Sequence, residues 1–510
     1  MPDAPPSTTP DHPAHHAQPR ARTGISGLDT VLGGGLPRGH LYLVEGTPGA
    51  GKTTLGLQFL LEGRALGEKG LYVTLSETAT ELGIVAQSHG WMLDGIEVYE
   101  LVNEEGLSAS AEQSILYPAE VELGETTRDV MAAVTRLSPT RVVFDSLSEM
   151  RLLAQDPLRY RRQILALKHF FASRECTVLM LDDISAQGGD LQLHSIAHGV
   201  LGLDQAIGEY GPVRRHLRIV KMRGVRYRGG EHDVLLDTGG LQVYPRLIAG
   251  EHHSSFEPAN VSTGTHAFDL LLGGGLARGS NTLFMGPSGV GKTTTAMSSV
   301  VAALRRGEKA SYYLFDEGMG TLLLRCRALG LGLDGFIDNG QLEIRSLDPA
   351  EMSPGQFSNM VRMAVQDRGA STIVIDSLNA YLQAMPGAKF LLMQMHELLS
   401  FLNQQGVVTL MVLGQHGIVG DVRSDLDLSY LSDSIVLFRF FESRGSLLKA
   451  VSVVKSRTNE HELSIREFRL GEQGVEVGPA LTDFEGILGG VSTYRGDIPL
   501  LGDASLIAKA

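Results

Sequence analysis

The block from Thr23 to Gly56, TGISGLDTVLGGGLPRGHLYLVEGTPGAGKTTLG, recurs from Thr263 to Ala296 as TGTHAFDLLLGGGLARGSNTLFMGPSGVGKTTTA, with about half the positions identical and no gap. A period this long exceeds any stacking repeat, so each copy is expected to be a domain in its own right. The 510-residue length agrees, since at roughly 150 residues per domain it accommodates two large domains. The polar stretch Leu247 to Val261 is the natural linker. The expected organisation is therefore a leader over 1–22, domains over 23–246 and 262–482 flanking a linker at 247–261, and a tail over 483–510.

Short apolar runs alternate with helical patterns in each copy, which implies an α/β fold with a mostly parallel sheet. In the first copy the runs are LYLVEG, LYVTLSE, RVVFDSL and TVLMLDD. In the second they are NTLFMG, SYYLFDE, STIVIDSL and VVTLMVLG. The late runs HLRIVKMRG and KAVSVVKSR are expected to close the two sheets.

Both copies carry G-x-x-x-x-G-K-T after a strand and before a helix, the context that gives this pattern its meaning. The first reads Gly46, Thr47, Pro48, Gly49, Ala50, Gly51, Lys52, Thr53, and the second Gly286, Pro287, Ser288, Gly289, Val290, Gly291, Lys292, Thr293. Glycines let backbone N–H groups turn inward around phosphates, and the following helix adds its positive end. Lys52 and Lys292 would meet the β/γ-phosphates of ATP, and the Thr53 and Thr293 hydroxyls would ligate Mg²⁺. The bland reading is a glycine-rich turn in a chain with 61 glycines.

Asp145 and Asp376 end buried runs, where an unpaired carboxylate is costly, so they are expected to hold the metal's water shell; a helix N-cap is the alternative. Glu77, Asp316 and Glu317 end the second run of each copy and are the candidates to activate the attacking oxygen, against a plain first-turn helix role.

Composition narrows the field. The net charge of -14 repels phosphate backbones and anionic lipid, so nucleic acid and membrane surfaces are disfavoured partners. The two cysteines, Cys176 and Cys326, offer neither a disulfide framework nor metal-ligand spacing. His12, His15 and His16 lie in a polar leader with no signal-peptide core, and no run approaches the ~20 apolar residues of a membrane helix, so a cytoplasmic protein is expected.

The paired LGGGLPRG and P-loop blocks, the VVFDS and IVIDS runs and the later KMRG resemble KaiC, the double-domain RecA-type ATPase family of circadian clocks, from about Thr23 to about Val477. The resemblance implies two tandem RecA-like P-loop NTPase domains with mostly parallel central sheets. It also implies a homohexamer of two stacked rings with ATP at subunit interfaces, slow ATP hydrolysis in the first domain, and autophosphorylation of a loop serine and threonine in the second. The family's double glutamate falls on Ser76-Glu77 and on Asp316-Glu317, so a carboxylate is lost from the first domain. Its interface lysine and arginine fall on Lys221 and Arg223, and on Lys455 and Arg457 with His461; the first-domain histidine falls on Tyr227. Without the resemblance these cations read as a solvated basic edge strand. The phosphoacceptor pair falls on Ser429 and Tyr430, followed by Ser432. Flanking Asp425, Asp427 and Asp433 would repel an added phosphate; a plain polar loop is the alternative. The tail shows no likeness to the family's partner-binding tail.

Two other functions stay open. A RecA/RadA-type DNA-dependent ATPase would use Arg214, Arg215, Arg218, Lys221, Arg223, Arg226 and Arg228. An ATP-gated hexameric scaffold would bind nucleotide with little turnover, as Ser76 allows.

Overall fold

The computed structural model describes residues 18–101, 118–154, 156–184, 191–207, 211–383, 388–415, 429–443, 445–471, 474–489 and 493–494. The leader histidines, Asp425 and Asp427 lie outside the described residues, as does most of the tail. The chain divides into two compact units, the first ending at Arg246 and the second resuming at Leu247, with residues 208–212 assigned to the second.

The first unit is built on a nine-stranded sheet. Its strands are β1 (Leu41–Gly46), β2 (Gly70–Thr74), β3 (Ile96–Glu100), β4 (Arg141–Asp145), β5 (Thr177–Asp183), β6 (Gly199–Ala206), β7 (Arg214–Met222), β8 (Glu231–Asp237) and β9 (Gly240–Tyr244). Their spatial order is β9-β8-β7-β6-β1-β5-β4-β2-β3. The pairings from β6 through β1, β5, β4 and β2 to β3 are parallel, and those from β6 out to β9 antiparallel.

The second sheet repeats this plan with β10 (Asn281–Gly286), β11 (Lys309–Leu314), β12 (Leu342–Ser346), β13 (Ala370–Asp376), β14 (Val408–Gly414), β15 (Ser434–Ser443), β16 (Ser446–Ser456), β17 (Arg466–Gly471) and β18 (Gly474–Ala480). Their order is β12-β11-β13-β14-β10-β15-β16-β17-β18. These are two tandem RecA-like α/β domains.

The apolar runs form strands because both faces of each sheet are covered. Tyr42 and Val44 enter one core layer while Leu41 and Leu43 enter the other, as the two-residue period of a strand requires. The repeated Thr-Gly…Asp signature has a local cause. Asp29 accepts from the Thr23 amide and hydroxyl, both at 2.8 Å, and Asp269 accepts from the same groups of Thr263 at 2.7 and 2.6 Å.

One expectation is corrected. The runs HLRIVKMRG and KAVSVVKSR do not close the sheets, because a further antiparallel hairpin follows each; β7 and β16 are therefore interior strands and not basic edges. The stretch 247–261 is packed on the second unit, where Leu247 and Ala249 join its core and the Ala249 amide donates to Glu397 at 3.0 Å. Cys176 and Cys326 are buried and free, and burial pushes each thiol up to about 11. Among the described residues no helix is long and apolar enough to cross a membrane.

Candidate functional site

Each central strand ends at the first glycine of its loop, and the loop feeds helix α1 (Lys52–Ala65) or α2 (Lys292–Arg305). Gly51 and Gly291 cap these helices in the left-handed region, at φ 106° and 119°. Each is also crowded: a Cβ on Gly51 would stand 3.0 Å from Leu241, and on Gly291 2.9 Å from the Phe468 ring. Glycine is required there both for its backbone freedom and for the space it leaves.

The lysine amines are held inside the loops. Lys52 Nζ donates to the Gly46 and Thr47 carbonyls at 3.0 Å each, and Lys292 Nζ to the Gly286 and Pro287 carbonyls at 2.8 Å each. Lys52 is also ion-paired to Asp183 at 2.6 Å. Burial pulls Lys292 down to about 8, in spite of the nearby Asp376 and Asp316 carboxylates. The Thr47 hydroxyl is buried with no partner among the described residues.

Asp145 and Asp376 stand at the ends of β4 and β13. Tyr72 donates to Asp145 Oδ2 at 2.5 Å and Thr53 to the same oxygen at 3.2 Å. Tyr312 donates to Asp376 Oδ2 at 2.7 Å, and Thr293 bonds the same carboxylate. Burial raises the pKa of both acids, against the hydroxyl hydrogen bonds and the P-loop lysine, which favour the charged form. A hard-oxygen threonine–aspartate pair fits Mg²⁺, which keeps most of its own waters and needs few protein ligands. Among the described residues no cluster of three or more His, Cys, Asp or Glu side chains could form a metal cage.

The candidate bases differ between the domains. Glu77 is pinned through its backbone to the Thr74 hydroxyl, at 3.0 and 2.8 Å. Its Oε2 is buried and unpartnered, and burial, with Asp145 and Glu81 nearby, raises its pKa. It does not cap the next helix, because Thr78 and Glu81 form that capping box. In the second domain Glu317 is claimed by Arg325 through two bonds of 3.0 and 2.8 Å, whereas Asp316 accepts from the Ser377 hydroxyl. Val85 occupies the repeat position of Arg325, so nothing restrains Glu77 in the same way.

The late cations lie at the other end of each sheet from the P-loop. Lys221 pairs with Val200, which pairs with Leu43, three residues and so about 10 Å before Gly46. Lys455 pairs with Ile435 and through it with Leu283, and the Arg457 amide bonds Asp433 at 3.0 Å. Lys221 donates to the His194 and Ala197 carbonyls, Arg223 to Ser195 at 2.8 Å, and Lys168 to Ile196 at 2.7 Å. Burial and mutual repulsion lower the pKa of Lys221 and Lys168, and no carboxylate offsets either shift. In the second domain Lys455 donates to the Ser432 carbonyl at 2.6 Å, and the His461 Nε2 is buried without a partner. Tyr227 is partly exposed.

Ser429 opens a short 3-10 turn, Ser429–Leu431, and Tyr430 is 52% exposed. Asp433 is not a free flanking acid, since its Oδ2 accepts from the Asn281 amide at 3.0 Å and from Asn403 at 3.1 Å. Of the arginines that a DNA-binding reading needs, Arg215 donates to the P-loop carbonyl of Gly49 at 3.4 Å and Arg218 pairs with Asp204 at 3.5 Å. The sequence reading missed Tyr72 and Tyr312, although their equal places in the two repeats were a usable signal. It also missed Asp183, Lys168 and Arg325, for which no signal existed.

The KaiC ATPase family model matches residues 21–248 and again 261–482. A circadian clock protein KaiC3 from Synechocystis is 26% identical over 486 residues, covering 93% of this chain and 95% of that protein. Circadian clock oscillator proteins KaiC from Picosynechococcus and Synechococcus elongatus are 27% and 26% identical, covering 93% and 94% of this chain and 92% and 93% of their own.

Proposed function

The chain belongs to the KaiC ATPase family, and from that premise we propose that it hydrolyses ATP in its first domain and autophosphorylates Ser429 in its second, as a clock-type or signalling regulator. The observation that carries this reading is the pair of P-loop, tyrosine and aspartate constellations at equivalent places, each with cations at the far end of its own sheet.

ATP phosphates lie against the loop amides, with Lys52 or Lys292 at the β/γ oxygens. Thr53 with Asp145, or Thr293 with Asp376, would hold Mg²⁺, which would supply charge neutralisation at the phosphate oxygens. Glu77 orients water in the first domain, and its raised pKa suits a proton acceptor. In the second, Asp316 takes the hydroxyl proton of a neighbouring subunit's Ser429 as that oxygen bonds the γ-phosphorus and the bond to the β–γ bridging oxygen breaks, releasing ADP; Glu317 serves to hold Arg325, and the Ser429–Leu431 turn stands with Lys455 at the end of the sheet away from its own P-loop. Lys221, Arg223, Lys455 and Arg457 stand too far from their own P-loops, so they act on the nucleotide of a neighbouring subunit in a hexameric ring. The uncompensated charge on Lys168, Lys221 and Arg223 supports that placement.

The test is peptide mass analysis after incubation with Mg-ATP, beside a Lys292→Ala control, together with phosphate release and native mass. Phosphate on Ser429, absent from the control, is the expected result. A ring that binds ATP but gains no phosphate removes the kinase step.

A further inference from the structure

We propose that Asp183 sets the first P-loop's preference between ATP and ADP by competing with the γ-phosphate for Lys52, an inference that rests on reading 46–53 as a nucleotide site. An ammonium has three N–H donors. Those of Lys52 meet the Gly46 carbonyl, the Thr47 carbonyl and, at 2.6 Å, Asp183 Oδ1. The Lys52 side chain is only 9% exposed, so water cannot readily replace a lost partner.

Asp183 is built into this place. It ends β5 directly beside Gly46 of β1, its amide donates to Ser148 at 3.2 Å, and the next amide, of Ile184, bonds the Gly46 carbonyl at 3.1 Å. The backbone is therefore fixed against the base of the loop. The carboxylate, 42% exposed, is still free to turn into solvent.

The second domain lacks the device. Gly414 occupies the place beside Gly286, and the charges that Lys292 feels come from Asp376 and Asp316. The first domain has thus lost an acid at Ser76 and carries one at Asp183, on the opposite side of β4, where it contacts the lysine directly.

The two nucleotides meet this acid differently. A diphosphate presents Lys52 with β-oxygens alone, so one N–H can stay with Asp183. A triphosphate needs that N–H for a γ-oxygen, so it must break the ion pair and set its own charge against the carboxylate, which also faces Asp145 and Asp182. The penalty falls on ATP.

The experiment titrates the full chain by calorimetry with Mg-ADP and with a Mg-bound, methylene-bridged ATP analogue, in a Lys292→Ala background so that only the first site is read. Asp183→Asn is expected to tighten the analogue about five- to tenfold and to move ADP by less than about twofold. Unchanged or equally shifted affinities overturn the proposal, as does unchanged affinity with collapsed turnover, which would make Asp183 a proton acceptor. The converse variant is Gly414→Asp with Lys52→Ala, where an added Cβ meets only Asn379, at 3.5 Å. It should weaken the analogue at the second site by a similar factor, and no change there also counts against the proposal. Wild-type protein that binds neither nucleotide defeats the reading of the P-loop itself, an outcome distinct from all of these.

Discussion

The two domains share a sheet plan and a P-loop, and they differ in where the spare carboxylates stand. In the first, Glu77 Oε2 is buried without a partner among the described residues and Asp183 holds the loop lysine. In the second, Glu317 is tied to Arg325, and Asp316 lies against Ser377. A duplicated scaffold therefore repeats the P-loop, while the side chains at the strand ends differ between the copies. The adjacent acids of the repeated motif do not act as a unit, because one arginine on the next helix decides which is free.

The strongest way to break this comparison is to remove each acid. Glu77→Gln should lower first-domain phosphate release by about 100-fold or more, read in a Lys292→Ala background. Asp316→Asn should abolish phosphate on Ser429, whereas Glu317→Gln should change it by less than about threefold. A Glu317→Gln loss as deep as that of Asp316→Asn would reverse the assignment.

The next effect is across subunits. Lys221→Ala should cut first-domain turnover about 10- to 100-fold with little change in nucleotide affinity. Rings mixed from Lys221→Ala and Glu77→Gln subunits should regain activity, because some interfaces then pair an intact base with an intact cation. No recovery on mixing would place both groups on one nucleotide of one chain.

Protonation sharpens the difference further. Lys292 lies near pH 8, so ATP affinity at the second site should fall above that value, approaching tenfold per pH unit, as binding has to restore the proton. Glu77 is shifted upward, so first-domain turnover should be lost, as pH falls, above the ordinary carboxylate range. The smallest effect is on stability: Thr23→Val and Thr263→Val each remove a hydroxyl bond to a buried aspartate and should cost about 1 kcal/mol, read as a lowered denaturant midpoint.

The duplication, both P-loops and the strands ending in Asp145 and Asp376 were legible in the sequence. All are encoded locally: glycine spacing sets a loop's backbone, and an uninterrupted apolar run marks a strand buried on both faces. Strands β3, β8, β9 and their counterparts escaped, because they are partly exposed and their pattern is weak; β6 escaped too, although five of its eight residues are buried. Sequence also placed Lys221 and Lys455 in the right runs, yet only strand register puts them at the far end of the sheet from the phosphate loop. The same holds for Glu317 and Asp183. Whether a carboxylate acts or is neutralised depends on Arg325 from the next helix and on Lys52 at the start of helix α1. Sequence order carries no record of such contacts, because they arise only when parallel strands bring distant chain segments side by side.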